Sequence, residues 1–194
     1  LFADKNTFVW ELEATHTDYK LKPVSADTLK TDFISPNQQI PPVDLNEKKL
    51  TGLLEMRRTD SVAFGAKAAN LGEIMHAKVP GITVPDGFSV PFYWYDRFME
   101  ANGLDKKIEA MTEEYDFVHN PRYRRQKLEE LRKAIQAGKF DAALRREVIR
   151  KWGTQLKWRP VFVRSSSNAE DLPNFSGAGL YSSVFNVRKA NDLI

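Results

Sequence analysis

The 194-residue sequence has no cysteine, which excludes a disulfide framework, thiolate zinc sites and a cysteine nucleophile. It has no apolar run near the ~20 residues that a helix needs to cross a bilayer, and no charged-then-apolar leader at its start. No membrane partner is expected. A surplus of one charge is missing too: 29 Lys and Arg stand against 26 Asp and Glu, a formal +3. The basic residues are interspersed with acidic ones, so a dedicated nucleic-acid surface is not indicated. Histidine is scarce, with three copies. His16 lies in a polar stretch, His76 ends a predicted helix and His119 precedes a proline loop, so each is read as structural or solvent-exposed. What is present is ordinary globular usage, 42% hydrophobic and 28% charged. The length suits one domain with an appendage, or two small domains. A chain that starts at Leu1 and ends on Asn191-Asp192-Leu193-Ile194 is expected to be a piece of a longer polypeptide.

The first fifty residues differ in texture from the rest. Phe8-Val9-Trp10 is a short strand candidate, Asp18 to Pro23 is polar, and Ser35 to Pro42 carries Pro36, Pro41 and Pro42. Each proline removes a donor and pushes its predecessor toward extended backbone, which blocks helix. The pattern predicts an extended arm or linker over residues 1–48 and a globular unit over 49–194.

Within that unit, Ala68, Leu71, Ile74 and Met75 recur at helical spacing over Lys67–His76, and Val79-Pro80-Gly81 breaks the run. Phe88-Ser89-Val90 reads as a strand stopped by Pro91, and Tyr93–Glu100 as a helix stopped by Asn102-Gly103. Asn120-Pro121 resembles a helix cap with proline at the first helical position, followed by Leu128, Leu131 and Ile135 on one face. A further helix is predicted from Asp141 to about Leu156, with Leu144, Val148, Ile149 and Trp152 on one side. Val161-Phe162-Val163 reads as a buried strand and Tyr181–Val187 as another. The fold class is α+β.

Three segments suit phosphate. In Gly65-Ala66-Lys67-Ala68-Ala69-Asn70-Leu71-Gly72-Glu73, one lysine stands among small residues where a helix opens. Helix-start amides are unpaired there and favour an anion, though a tightly packed helix start with an exposed lysine would read alike. In Val163 to Pro173, a strand delivers Arg164 into a loop of three hydroxyls and two acids. An arginine in that position can fork onto phosphate oxygens, or pair locally with Glu170 or Asp171. In Ser176 to Val187, Gly177 and Gly179 lead into an alternating strand, as a phosphate-cradling flap or a plain tight hairpin would.

Together these segments resemble the nucleotide-binding domain of the phosphoenolpyruvate synthase and pyruvate phosphate dikinase family. The family's Gly-Gly-Lys-Gly-Ala-Asn-Leu-Gly-Glu stands here as Gly65 to Glu73, with Ala66 and Ala68 in place of glycines. Its Gly-Ile-x-Val-Pro-x-Gly-Phe is met by Gly81, Ile82, Val84, Pro85, Gly87 and Phe88. Its Val-Arg-Ser-Ser-Ala-Thr-Ala-Glu-Asp-Leu-Pro appears as Val163 to Pro173, with Ser167 and Asn168 substituted, and the continuation aligns with Asn174 to Ser183. The first forty-five or so residues match nothing in the family.

The resemblance implies the first part of an ATP-grasp nucleotide-binding domain, a mixed sheet with several helices, preceded by the arm. It implies that Lys67 and Arg164 contact ATP phosphates, with Gly179, Leu180 and Ser183 on a flap above them. Gly177, Leu180 and Ser182 depart from the family pattern in that flap, and with the methyl groups of Ala66 and Ala68 the lobe is expected to sit slightly differently or to bind more loosely. No catalytic residue and no metal ligand is expected in the chain. Mg²⁺ accompanies ATP on ligands elsewhere, and a phosphohistidine domain and a barrel for pyruvate or phosphoenolpyruvate are the implied partner domains. The activity implied is a cytoplasmic dikinase that turns ATP and pyruvate into phosphoenolpyruvate. The chain by itself is expected to show little or no turnover. Relatives that phosphorylate a glucan or an antibiotic, and a non-catalytic binding or scaffold module, are the alternatives.

Overall fold

The computed structural model describes residues 9–14, 19–24, 41–169, 171–172, 175–176 and 181–193. In chain order the elements are β1 (Val9–Ala14), β2 (Tyr19–Val24), β3 (Thr51–Gly52), α1 (Ser61–Phe64), α2 (Ala66–Ala77), β4 (Phe88–Ser89), α3 (Phe92–Ala101), α4 (Leu104–Glu113), α5 (Tyr115–His119), α6 (Pro121–Gln136), α7 (Ala142–Thr154), β5 (Val161–Val163), β6 (Asp171–Leu172), β7 (Phe175–Ser176), β8 (Val184–Val187) and α8 (Ala190–Leu193). Single 3-10 turns occupy Leu53–Glu55 and Arg58–Asp60.

The chain divides after Gln39, ahead of the expected boundary at 48. In the first unit, β1 and β2 pair antiparallel from Val9↔Val24 to Ala14↔Tyr19, a hairpin where an extended arm was expected. The predicted proline stretch lies outside the described residues up to Ile40.

The second unit is α+β, but the described residues do not form one mixed sheet. Its three ladders, β3 with β4, β5 with β8 and β6 with β7, are separate, two-stranded and antiparallel. Helices carry the core. Asn120 caps α6 by accepting from the amides of Arg122 and Tyr123, with Pro121 at the first helical position. Asp141 caps α7 through the amides of Ala143 and Leu144 at 2.7 and 2.9 Å. Leu144, Val148 and Trp152 form the buried face of α7, as their spacing requires. On α6 only Leu131 is buried, and Leu128 and Ile135 lie at the exposed margin of the predicted face.

Three apolar clusters result. Leu104, Met111 and Leu131 join α4 to α6, and Leu50, Leu144 and Val148 join the segment before β3 to α7. The third gathers Leu53, Met56, Ala63, Phe64 and Ala68, and it is the platform under the start of α2.

The predicted burial of β5 is not met. Phe162 is 72% exposed, and Phe185 on the neighbouring β8 is 70% exposed. A two-stranded ladder offers each strand one neighbour, and no further described strand covers these rings, which lie 6.1 Å apart. Val187, buried, is the residue that ties the ladder to the core.

Candidate functional site

The site is built where two of the predicted segments meet. Gly65 separates α1 from α2 with φ +83° and ψ 159°, a conformation open essentially to glycine alone. A Cβ at Gly65 would stand 2.2 Å from the carbonyl oxygen of Ser166. The glycine is therefore required twice, once by its backbone angles and once by the approach of the loop after β5.

The same loop closes the helix. The amide of Ala68 donates to Oγ of Ser166 at 3.0 Å, across 98 positions of sequence. The amide of Ala66 donates to the carbonyl oxygen of Ser167 at 3.2 Å, and that of Ala69 to the carbonyl oxygen of Gly65 at 3.2 Å. Of the two readings of this segment, the tightly packed helix start accounts for the amides of Ala66 and Ala68. Helix-start donors are seldom left unsatisfied, and here the second motif satisfies those of Ala66 and Ala68.

Lys67 lies between these two anchored residues and is half-buried. Arg164 follows β5 directly, two positions before Ser166, and is exposed. Val163 pairs with Val184 in the β5–β8 ladder, so Arg164 and Ser183 leave the ladder at the same end. Three predicted site residues thus sit on backbone segments that adjoin. Gly179 and Leu180, with Gly177, lie outside the described residues, as do the side chains of Glu170 and Asp171.

Other motif residues prove structural. Ala68 is 5% exposed and packs in the cluster with Leu53, Met56 and Phe64, so its methyl group faces the core and not a ligand, contrary to expectation. A Cβ on Gly72 would stand 2.7 Å from the carbonyl oxygens of both Leu53 and Met56, which makes this glycine a packing requirement of α2 against the 3-10 turns. Glu73 accepts from the amide of Arg58 at 2.7 Å and pairs with the Arg57 guanidinium at 3.6 Å. Gly87 accepts from the amide of Leu53 at 2.8 Å and from Nε2 of Gln155 at 3.0 Å. In the Gly81–Phe88 motif, Gly87 and Asp86, which also accepts from Nε2 of Gln155 at 2.9 Å, brace the platform.

A shallow groove of about 280 Å³ between Leu54, Ile74, Met75, Ile82 and Val84 opens at the far end of α2, away from Lys67. Of the described site residues, Lys67, Arg164 and Ser183 do not line it. Among the described residues no group of three or more His, Asp or Glu side chains could hold a metal ion. His76 is partly buried and His119 exposed, and His119 donates from Nδ1 to the carbonyl oxygen of Tyr115 at 2.9 Å. His16 lies outside the described residues.

Sequence reasoning did not find Ser166 or Asn168 as joints. Asn168 donates through Nδ2 to the carbonyl oxygens of Pro41 and Pro42 at 3.3 and 3.2 Å, holding the entering segment against the loop of Arg164. A polar residue inside a recognised motif was the only signal, and it carried no hint of partners 98 to 127 positions away.

The sequence model of the family described as "Pyruvate phosphate dikinase, AMP/ATP-binding domain" matches residues 61–194. A probable phosphoenolpyruvate synthase of Staphylothermus marinus is 32% identical over 159 residues, covering 78% of this chain and 19% of the relative. One of Methanothermobacter thermautotrophicus is 32% identical over 158 residues, covering 79% and 22%. The phosphoenolpyruvate synthase of Helicobacter pylori is 33% identical over 148 residues, covering 72% and 18%. The chain therefore spans about a fifth of the length of these curated relatives.

Proposed function

Because the chain belongs to the pyruvate phosphate dikinase AMP/ATP-binding domain family, we propose that Lys67 and Arg164 bind the phosphate tail of ATP, in the nucleotide-binding part of a larger phosphoenolpyruvate synthase. The observation that carries this reading is the contact between the two segments that bear them, made by the Ala68 amide on Ser166 and the Ala66 amide on Ser167. Two cations fixed on adjoining backbones can neutralise charge on a transferring phosphoryl group without reorganising at the moment of reaction. Ser183, directly before β8, joins them as a hydroxyl donor, and Gly179 and Leu180 are assigned to the same ATP site.

The parent protein passes phosphate from ATP to pyruvate through a histidine outside this chain, giving phosphoenolpyruvate. That the relatives are phosphoenolpyruvate synthases favours pyruvate over a glucan or an antibiotic as acceptor. The second unit is the first part of an ATP-grasp domain, entered through the segment from Pro41, and the residues before it are an appendage. The protein ligands of the Mg²⁺ that would accompany ATP are assigned to other parts of the parent protein, as the family resemblance implies. No described helix is long and apolar enough to cross a membrane.

The test is calorimetric titration of ATP into the protein and into Lys67→Ala and Arg164→Ala. Loss of a charge-assisted contact of ~1.5–3 kcal/mol weakens binding about tenfold or more. Unchanged affinity in either variant removes that residue from the site.

A further inference from the structure

On the reading that Lys67 and Arg164 bind ATP, we propose that Ser166 is the positioning residue that fixes one cation relative to the other. A helix is ordinarily capped by a Ser, Thr, Asp or Asn at its own N-cap. That position here is Gly65, and both its φ of +83° and the 2.2 Å approach of the Ser166 carbonyl forbid a side chain there. The cap is supplied instead from the loop that carries Arg164, by the Ser166 hydroxyl at 3.0 Å from the Ala68 amide.

The consequence is geometric. Lys67 is in the first turn of α2, between Ala66 and Ala68, and both neighbours are tied to residues 166 and 167. The turn that aims Lys67 therefore follows the loop that aims Arg164. The bond from Ala66 to Ser167 is between main-chain atoms and survives any side-chain replacement. The bond from Ala68 hangs on one hydroxyl. Ala68 is itself buried among Leu53, Met56 and Phe64, and its bond to Ser166 is part-buried, so water replaces that hydroxyl poorly when it is lost. The first turn then seeks another acceptor and carries Lys67 with it. Ser166 itself need not touch the nucleotide, because it acts through the lysine on the other side of the joint.

The experiment titrates ATP, and adenosine by competition, into the intact parent protein as wild type, Ser166→Ala, Ser166→Thr and Lys67→Ala. A displaced lysine weakens ATP binding in Ser166→Ala by about tenfold, leaves adenosine affinity unchanged, and is relieved in Ser166→Thr, which keeps the hydroxyl. Ser166→Cys keeps the volume with a poor acceptor and is read for the same split should Ser166→Ala lose its fold. Wild-type ATP affinity in Ser166→Ala beside a weakened Lys67→Ala overturns the role of Ser166 and leaves the phosphate site standing. An equal loss for ATP and adenosine in Ser166→Ala also overturns it, since that reports a general loosening. Failure of Lys67→Ala to weaken ATP binding overturns the phosphate site and this proposal with it.

Discussion

Asn168 and Pro42 lie 126 positions apart, and the side-chain amide of one donates to the carbonyl oxygen of the other at 3.2 Å. The same nitrogen lies 3.3 Å from the carbonyl oxygen of Pro41. Further along, the Asp44 amide donates to the carbonyl of Val62 at 2.8 Å, and Trp94 Nε1 to that of Lys48 at 2.8 Å. The entering segment is thus pinned at three places before Leu50 enters the core. Asn168→Ala removes the first pin at a cost of about 1 kcal/mol. The expected outcome is earlier proteolytic cleavage near residues 41–44, with the main thermal transition little changed. Cleavage at the wild-type rate would show that Asn168 does not hold this segment.

Two glycines of the same motif are predicted to fail for different reasons. Gly65→Ala meets a backbone carbonyl at 2.2 Å and a φ of +83°, so it costs strain of about 1–3 kcal/mol and forces the Ser166 loop away. Gly72→Ala meets the carbonyls of Leu53 and Met56 at 2.7 Å, an overpacking cost of about 1–3 kcal/mol inside the platform. Both melt lower, by roughly 2–4 °C for each kcal/mol in a chain of this size. Only Gly65→Ala is expected to weaken ATP binding beyond what its residual fold explains.

Tyr123 donates to Glu114 at 2.6 Å, and Lys127 approaches the other carboxylate oxygen at 3.5 Å. The tyrosine hydrogen bond, with Lys127 behind it, holds the Glu114 carboxyl below the usual carboxylate range. The same bond to Glu114 raises the Tyr123 phenol above its ordinary value. A carboxyl with a depressed folded pKa contributes stability above its unfolded pKa and loses it as the pH falls through the folded value. A phenol with a raised folded pKa contributes below its unfolded value and loses it as the pH climbs through the folded one. Tyr123→Phe should therefore lower the melting temperature most near neutrality, and its deficit should shrink as the pH falls below the usual carboxylate range and again as it climbs above the usual phenol range. A deficit independent of pH would locate the effect in packing alone.

Much of the helical framework could be read before any coordinates. Asn120-Pro121 and Asp141 mark helix starts by local chemistry, and Leu144, Val148 and Trp152 repeat at the spacing of a buried face. The helix over Leu104–Glu113 went unread because its apolar residues, Leu104, Ile108 and Met111, are thin among charges, and its stability comes from Leu131 on another helix. The burial of Val161-Phe162-Val163 was misjudged because a run of apolar residues states what a strand prefers, not whether a neighbour exists to cover it.

The site was legible as text and not as geometry. Lys67 and Arg164 stood out by residue type and position after small residues and a strand. That the start of α2 is closed by the Arg164 loop was invisible, because nothing near Gly65 encodes an acceptor 98 residues on. Ala68 looked like an intrusion toward a ligand because the motif has glycine there, yet its methyl group fills the cluster around Met56.

The central claim, that Lys67 and Arg164 act on one phosphate tail, is tested most directly by a double-mutant cycle in ATP affinity with Lys67→Ala, Arg164→Ala and their combination. Residues that share a partner couple by about 0.5–3 kcal/mol, so each single variant should weaken binding and the double variant should depart from the sum by at least that lower bound. Full additivity, or wild-type affinity in either single variant, would contradict the account.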